Sequence, residues 1–180
     1  MTVTETPEPV KEPVLPEKRP RPVPQPRQAD ILFAPAIGFI PELSYGLMAG
    51  YVGKIGVYGK FRSNFVKTGA TYDCTSDGMS GSDYIWTSGN AKVSSLSVTA
   101  GALFPIGKTL IPYAGIGYAK RELAWEDDVG TWARVKDASV SGIGMEAGLM
   151  LRFGLFSVHA GVNTAGFKNL GADAGVALFF

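Results

Sequence analysis

The chain is poor in the residues that build most soluble catalytic and metal sites. It carries one cysteine, Cys74, and one histidine, His159. A single cysteine excludes a disulfide-stapled scaffold, and the pair cannot supply a multi-ligand Cys/His zinc site. Charged residues make up only 18% of the 180 positions, against roughly 25% in average globular proteins. That is too few for a disordered chain. The 17 Lys/Arg and 16 Asp/Glu nearly cancel, so there is no general footprint for nucleic acid. Long apolar runs are missing as well. The weakly charged stretch 31–53 is broken by Pro35, Pro41 and Glu42, and the stretch 101–119 by Pro105, Lys108 and Pro112. Neither provides the roughly 20 apolar residues of a membrane-spanning helix, and the mean hydropathy is only +0.10. Glycine is absent before Gly38, whereas eight of the 12 prolines precede residue 30.

That segregation divides the chain into a tail, 1–30, and a folded part, 31–180. The tail holds Pro7, Pro9, Pro13, Pro16, Pro20, Pro22, Pro24 and Pro26, with five basic and five acidic residues. Proline fixes φ and removes the backbone donor, which excludes helix and sheet. The expected state is an extended polyproline-II-like strand, reaching about 90 Å at about 3.1 Å per residue. It reads as a spacer or as a docking strip for a partner. Met1–Pro16 lacks the apolar core of a signal peptide. Either the protein stays in the cytoplasm or Met1 begins a processed chain.

Beyond the tail, hydrophobicity alternates with period two, the mark of half-buried strands. Ala172, Ala174, Val176, Leu178 and Phe180 share one face, opposite Asp173, Gly175 and Phe179. Comparable alternation marks runs beginning near residues 44, 55, 96, 110, 142 and 156, and Ile31–Gly38 reads as apolar on both faces. Eight strands of about 10 residues each are the pattern of a membrane-spanning antiparallel β-barrel. A soluble barrel would put its apolar face inside and its charges outside. Here the apolar face is nearly free of charge, and the other mixes Gly, Ser and Thr with a few ionic residues. Lys or Arg facing lipid at mid-membrane costs about 2–4 kcal/mol, which accounts for the clean face. Small residues on the other suit a narrow eight-stranded interior.

Short connections at Gly53-Lys54, Pro105–Lys108 and Phe153-Gly154 alternate with polar segments that are mostly longer: 67–90, 126–131 and 165–169. In outer-membrane barrels the short turns are periplasmic and the long loops external, so both termini are expected in the periplasm. Aromatic girdles are expected at Tyr51, Phe104, Phe153 and Phe180 on the inner rim. Phe61, Phe65, Tyr118, Trp125 and Trp132 would form the outer one.

With these features the sequence resembles small outer-membrane barrels of the OmpX and OmpA-transmembrane-domain type. Val57-Tyr-Gly-Lys-Phe-Arg-Ser-Asn-Phe65 and Pro112-Tyr-Ala-Gly-Ile-Gly-Tyr118 resemble barrels from Bacteroidota. Asp173, Gly175, Leu178 and Phe180 fit the family's last-strand assembly signal, with Leu178 aliphatic where an aromatic is common. The resemblance implies the outer membrane of a Gram-negative bacterium, lipid as surroundings and insertion by the barrel-assembly machinery. It also implies export, with a signal peptide removed or replaced at Met1. The peptidoglycan-binding domain of longer OmpA proteins is not carried over.

The inward face nominates a polar network of Lys60, Arg62, Arg121, Glu146, Arg152, His159 and Asp173. Ser157 and His159 share a face, and pairing across Phe153-Gly154 sets Glu146 near Gly161. An acyl-transfer relay is thereby conceivable, but its members point into the lumen, away from lipid. No catalytic residue, metal or cofactor is assigned. In the loop 67–90, Tyr72, Tyr84 and Trp86 suit surface recognition and equally suit a flap over the barrel mouth. Cys74 reads as an inert free thiol or as a loop residue in a low-oxygen habitat, ahead of an intermolecular disulfide. The leading expectation is a non-enzymatic structural or accessory barrel with a docking tail and recognition loops. A narrow pore ranks second and a lipid-modifying enzyme third.

Overall fold

The computed structural model describes residues 30–180. The proline-rich segment 1–29, with the docking role assigned to it, lies outside the described residues. Strands β1 (Asp30–Ile40), β2 (Ser44–Val52) and β3 (Gly56–Ser63) are followed by three short ones, β4 (Tyr72–Cys74), β5 (Met79–Ser80) and β6 (Asp83–Tyr84). Two long strands come next, β7 (Thr87–Leu103) and β8 (Leu110–Asp127), then the short β9 (Trp132–Val135). The chain ends with β10 (Val140–Phe153), β11 (Phe156–Ala165) and β12 (Asn169–Phe179).

Eight of these strands form a closed antiparallel barrel in the order β1-β2-β3-β7-β8-β10-β11-β12, sealed where β12 pairs with β1. Closure leaves no free sheet edge around the ring, so every strand's backbone groups have neighbours on both sides. Both ends of the described chain meet at one rim, where Ile31 and Phe180 exchange backbone hydrogen bonds.

Because side chains alternate across a strand, each period-two run divides between a lumenal and an outer face. The outer face carries Phe33, Leu47, Val57, Val98, Ile116, Leu149, Val158 and Val176, all well exposed. The apparent ambiguity of Ile31–Gly38 resolves the same way. Leu32, Ala34 and Ala36 are buried inside, while Ile31, Phe33 and Ile37 face outward. Both faces are apolar there because the lumen itself is apolar near the termini. Leu32, Met48, Tyr58, Leu103, Ile111, Met150 and Phe179 pack into a plug, with small residues on the same inner face making room for them. The glycines serve this plug. A Cβ at Gly148 or Gly161 would overlap the Tyr113 ring or hydroxyl, and one at Gly115 would overlap the Tyr58 hydroxyl. Tyr58 and Tyr113 meet edge to face at 5.6 Å.

The β10–β11 hairpin turns at Gly154-Leu155, one residue later than expected, with Gly154 at φ 70°. A two-residue hairpin needs positive φ, which glycine adopts freely. Phe153 therefore faces Phe156, and Glu146 faces Asn163 rather than Gly161. The β11–β12 connection falls within the expected segment 165–169 and is a tight turn at Gly166–Lys168, closed by the Ala165↔Asn169 pair.

β7 and β8 run well past the barrel and pair with each other from Ala91↔Trp125 onward. β9 adds to the far end of β8, and β4 pairs with β9 in parallel. A second small core forms there, with Cys74, Ala133 and Val135 buried against Tyr72, Ile85, Leu123 and Trp125. Cys74 is thus a strand residue in a core rather than a loop thiol. Trp125 packs into that core and does not belong to an aromatic girdle. Tyr45, Phe61, Phe65 and Tyr118 are exposed around the loop-bearing end, and Tyr51, Phe104, Phe153 and Phe180 around the other.

Candidate functional site

Two places carry chemistry: the middle of the lumen and the extension above the loop-bearing end.

In the lumen, Lys60 from β3 reaches across to β12 and β10. Its Nζ lies 2.7 Å from Asp173 Oδ1 and 3.3 Å from Glu146 Oε2. Arg62, two residues on and therefore on the same face, donates to Asp173 Oδ2 at 2.9 Å and also to Asn163 Oδ1. Asn163 Nδ2 donates to Asp173 Oδ2 at 3.1 Å, and Thr99 Oγ1 donates to Glu146 Oε1 at 2.8 Å. The cluster holds two cations and two carboxylates. Its charges cancel, which is the condition for burying them in a narrow interior. Lys60, Glu146 and Asp173 are each under 10% exposed.

The seven residues assigned to one lumenal network divide among separate locations. Lys60, Arg62, Glu146 and Asp173 form the central cluster. Arg121 instead pairs with Glu42 at 3.1 Å near the loop-side mouth. Arg152 pairs with Asp30 at 2.6 Å near the other mouth and lies over the Phe179 ring. Their positions nearer the strand ends, rather than their charge, set these partners. His159 is buried, yet among the described residues neither ring nitrogen makes a hydrogen bond of ordinary geometry, and its ring stands edge-on to Tyr113 at 6.3 Å. Thr99, Asn163, Glu42 and Asp30 complete the ionic groups, and the sequence pattern does not single them out. Thr99 sits opposite Lys60 and Asn163 opposite Glu146 only once the strand register is known.

The acyl-transfer relay is not assembled. Among the described residues Ser157 Oγ, like both His159 nitrogens, makes no hydrogen bond of ordinary geometry. Glu146 is held instead by Thr99 and Lys60.

The assembly-signal residues have structural positions of their own. Asp173 anchors the ionic cluster. A Cβ at Gly175 would strike the Pro35 carbonyl oxygen. Leu178 pairs with Phe33 and Phe156, and Phe180 is exposed on the rim.

The cavities at the two ends have separate linings. The loop-side mouth is a pocket of about 40 Å³ bounded in part by Glu42, Arg62, Arg121 and Asn163. The other mouth is a larger hollow of about 780 Å³ that includes Asp30, Lys108, Ile111 and Arg152. Between them stand the ionic cluster and the apolar plug.

In the extension, residues 64–86 do not fold across the mouth. None of them borders its pocket. They build β4 onto β9, and Thr68 Oγ1 donates to Glu122. On the outer face, Asp73 pairs with Arg134 at 2.7 Å and Lys136 at 3.3 Å. Burial, then Asp137 and Asp73, push the Cys74 thiol above its usual range. Tyr72 packs on the second core and donates to Asp127 Oδ2 at 2.7 Å. Burial, then the Asp127 carboxylate, push its hydroxyl up to about 12. It is a structural residue, unlike Tyr84 and Trp86, which are 60% and 72% exposed.

No protein-family model matches the sequence, and no curated protein does. Solved structures do. The chain is similar to Ail, the attachment invasion locus protein of Yersinia pestis, solved in complex with the heparin analogue sucrose octasulfate. Identity is 17% over 84% of this chain and 97% of that one, with a TM-score of 0.54. A major outer membrane protein from Thermus thermophilus gives 13% identity, 86% and 100% coverage and a TM-score of 0.53. Ail in a phospholipid bilayer nanodisc gives 18%, 84% and 98%, and 0.51. At these identities the shared property is the fold, a small closed barrel of the kind that spans membranes.

Proposed function

We propose that this chain is an outer-membrane barrel whose lumen is sealed and structural and whose extension is a recognition platform. One observation carries the reading. The outer face around the ring is a charge-free apolar belt, while exposed aromatics recur outside it on a separately packed extension. A belt that wraps the whole molecule far exceeds the apolar patches tolerated on soluble monomers and matches the lipid-facing band of membrane barrels. The extension has its own core, so Tyr84 and Trp86 are displayed on a framework rather than on a floppy loop. In this orientation the termini lie on the periplasmic side, and the segment 1–30 would dock a periplasmic or membrane partner.

The filled lumen supports a structural role over a narrow pore, and the unassembled relay supports binding over lipid chemistry. Cells displaying the parent chain should bind a surface ligand or host matrix that cells displaying Tyr84→Ala/Trp86→Ala do not. Equal binding by both would refute the platform. Discrete conductance in planar bilayers would refute the sealed lumen.

A further inference from the structure

The extension contains a cavity of about 310 Å³ bordered by Ser76, Asp77, Tyr84, Trp86, Thr87 and Trp125. The rings of Tyr84 and Trp86 meet at 76° with centroids 5.5 Å apart. They make two walls set nearly at right angles, rather than one flat platform, and Trp125 of β8 adds a third aromatic.

The walls are pinned from several sides. Gly78 N–H donates to the Thr75 carbonyl at 3.0 Å, and Ile85 N–H donates to the Gly78 carbonyl at 2.7 Å. Ser76 N–H donates to Asp137 Oδ1 at 2.9 Å, and Asp128 N–H donates to the Trp86 carbonyl at 2.9 Å. Gly78 has φ +81°, and a Cβ there would lie 3.3 Å from the edge of the Tyr84 ring. Glycine lets the turn pass beneath that ring. A pocket held this way loses little entropy on binding.

Charge indicates the ligand. Residues 76–90 and 125–131 include Asp77, Asp83, Glu126, Asp127 and Asp128, and no Lys or Arg; Lys92, just beyond, sits over the Trp132 ring at 3.8 Å and acts on Glu126 rather than Asp77. Tyr72 and turn amides occupy Asp127, while Ser88 and Asn90 occupy Glu126. Asp77, on the cavity itself, makes neither a side-chain hydrogen bond nor an ion pair among the described residues. Aromatic faces carry negative charge density and attract cations, and the unpaired Asp77 carboxylate on the cavity adds to that field. A neutral sugar would be served better by a single flat ring than by perpendicular walls under a negative field.

We propose that this cavity binds an organic cation, an ammonium group bearing methyl or methylene substituents, through Tyr84, Trp86, Trp125 and the Asp77 carboxylate. The proposal rests on the recognition-platform reading and names its ligand chemistry.

The test uses the full chain refolded in lipid nanodiscs, titrated by tryptophan fluorescence with choline, with n-butylammonium and with the neutral tert-butyl isostere of choline. Saturable quenching by either cation, and none by the isostere, is expected. The stronger cation tells a quaternary head group from a lysine-like side chain. Trp86→Ala should weaken the cation by roughly two- to five-fold, the strength of an exposed cation–π contact, and Asp77→Asn by up to about five-fold, the strength of an exposed ion pair. Heat-dependent gel mobility confirms that each variant is folded, and Asp77→Asn, in an exposed turn, stands alone if Trp86→Ala does not refold. Equal binding of choline and its isostere, or binding of neither cation, overturns the proposal. Persistent loss of cell-surface binding by Tyr84→Ala/Trp86→Ala would then leave the platform intact with a different ligand.

Discussion

Asp173 is the residue on which the lumen most depends. It accepts from Lys60 at 2.7 Å, from Arg62 at 2.9 Å and from Asn163 at 3.1 Å. At an effective dielectric of about 20, the Lys60–Asp173 attraction alone is about 6 kcal/mol gross. Most of that is offset by the desolvation of both ions. The relevant magnitude is the cost of neutralising one partner while the other stays buried. Asp173→Asn leaves two cations facing the single carboxylate of Glu146 in a buried space, and stranding a buried charge costs roughly 3–5 kcal/mol. Urea unfolding of the barrel in lipid vesicles, followed by tryptophan emission and by gel mobility, should show a loss of about that size. Lys60→Met in the same chain restores the balance to one cation and one carboxylate, so the double variant should be more stable than the two single losses add to. A coupling of about 2 kcal/mol is within the range for residues sharing a network. If Asp173→Asn stays within about 1 kcal/mol of the parent, the lowest cost expected of any unsatisfied buried polar group, the stabilising role of the cluster is refuted. Strict additivity of the two substitutions would refute it equally.

Further outcomes rest on the same geometry. Gly148→Val places side-chain carbons inside the Tyr113 ring and should cost about 1–3 kcal/mol by overpacking, with Tyr113→Ala restoring part of the loss in the same unfolding assay. Cys74, buried and held above its usual pKa, should resist thiol reagents in the folded chain and react once the chain is unfolded in urea. The Ser76 hydroxyl bonded to Asp137 holds that carboxyl below its ordinary range. Its contribution is therefore present above the unfolded carboxyl pKa of about 4 and is lost as pH falls through the lower folded value. Tryptophan emission from the extension should change in acid at a higher pH than barrel circular dichroism does, and Asp137→Asn should remove part of that early change.

The barrel was readable in the sequence because lipid excludes charge from one face of every strand, a constraint imposed residue by residue. The 2.0 period and the clean outer face express it directly, and the structure adds only that Ile31–Gly38 alternates around an apolar lumen. Partners inside the lumen were not readable. Lys60 and Asp173 are 113 positions apart, and their meeting depends on the register of several strands together. The one-residue displacement of the β10–β11 turn moved Glu146 from Gly161 to Asn163, enough to change its surroundings. The extension was the least legible part. Beyond the belt both faces of β7 and β8 are partly polar, so the alternation fades just where those strands lengthen. Tyr72, Tyr84 and Trp86 were found by composition, but composition could not distinguish the one that packs on Cys74 and Val135 from the two that stay exposed.

The proposed topology puts the barrel in the outer membrane with its extension outside, and single-cysteine labelling reads that orientation directly. In a Cys74→Ala chain, Ser82→Cys marks the extension and Lys54→Cys marks the short turn at the opposite end. A membrane-impermeant maleimide added to intact cells should label the cysteine at position 82 and reach the one at position 54 only after lysis. Labelling at 54 on intact cells, with 82 protected, would contradict this topology.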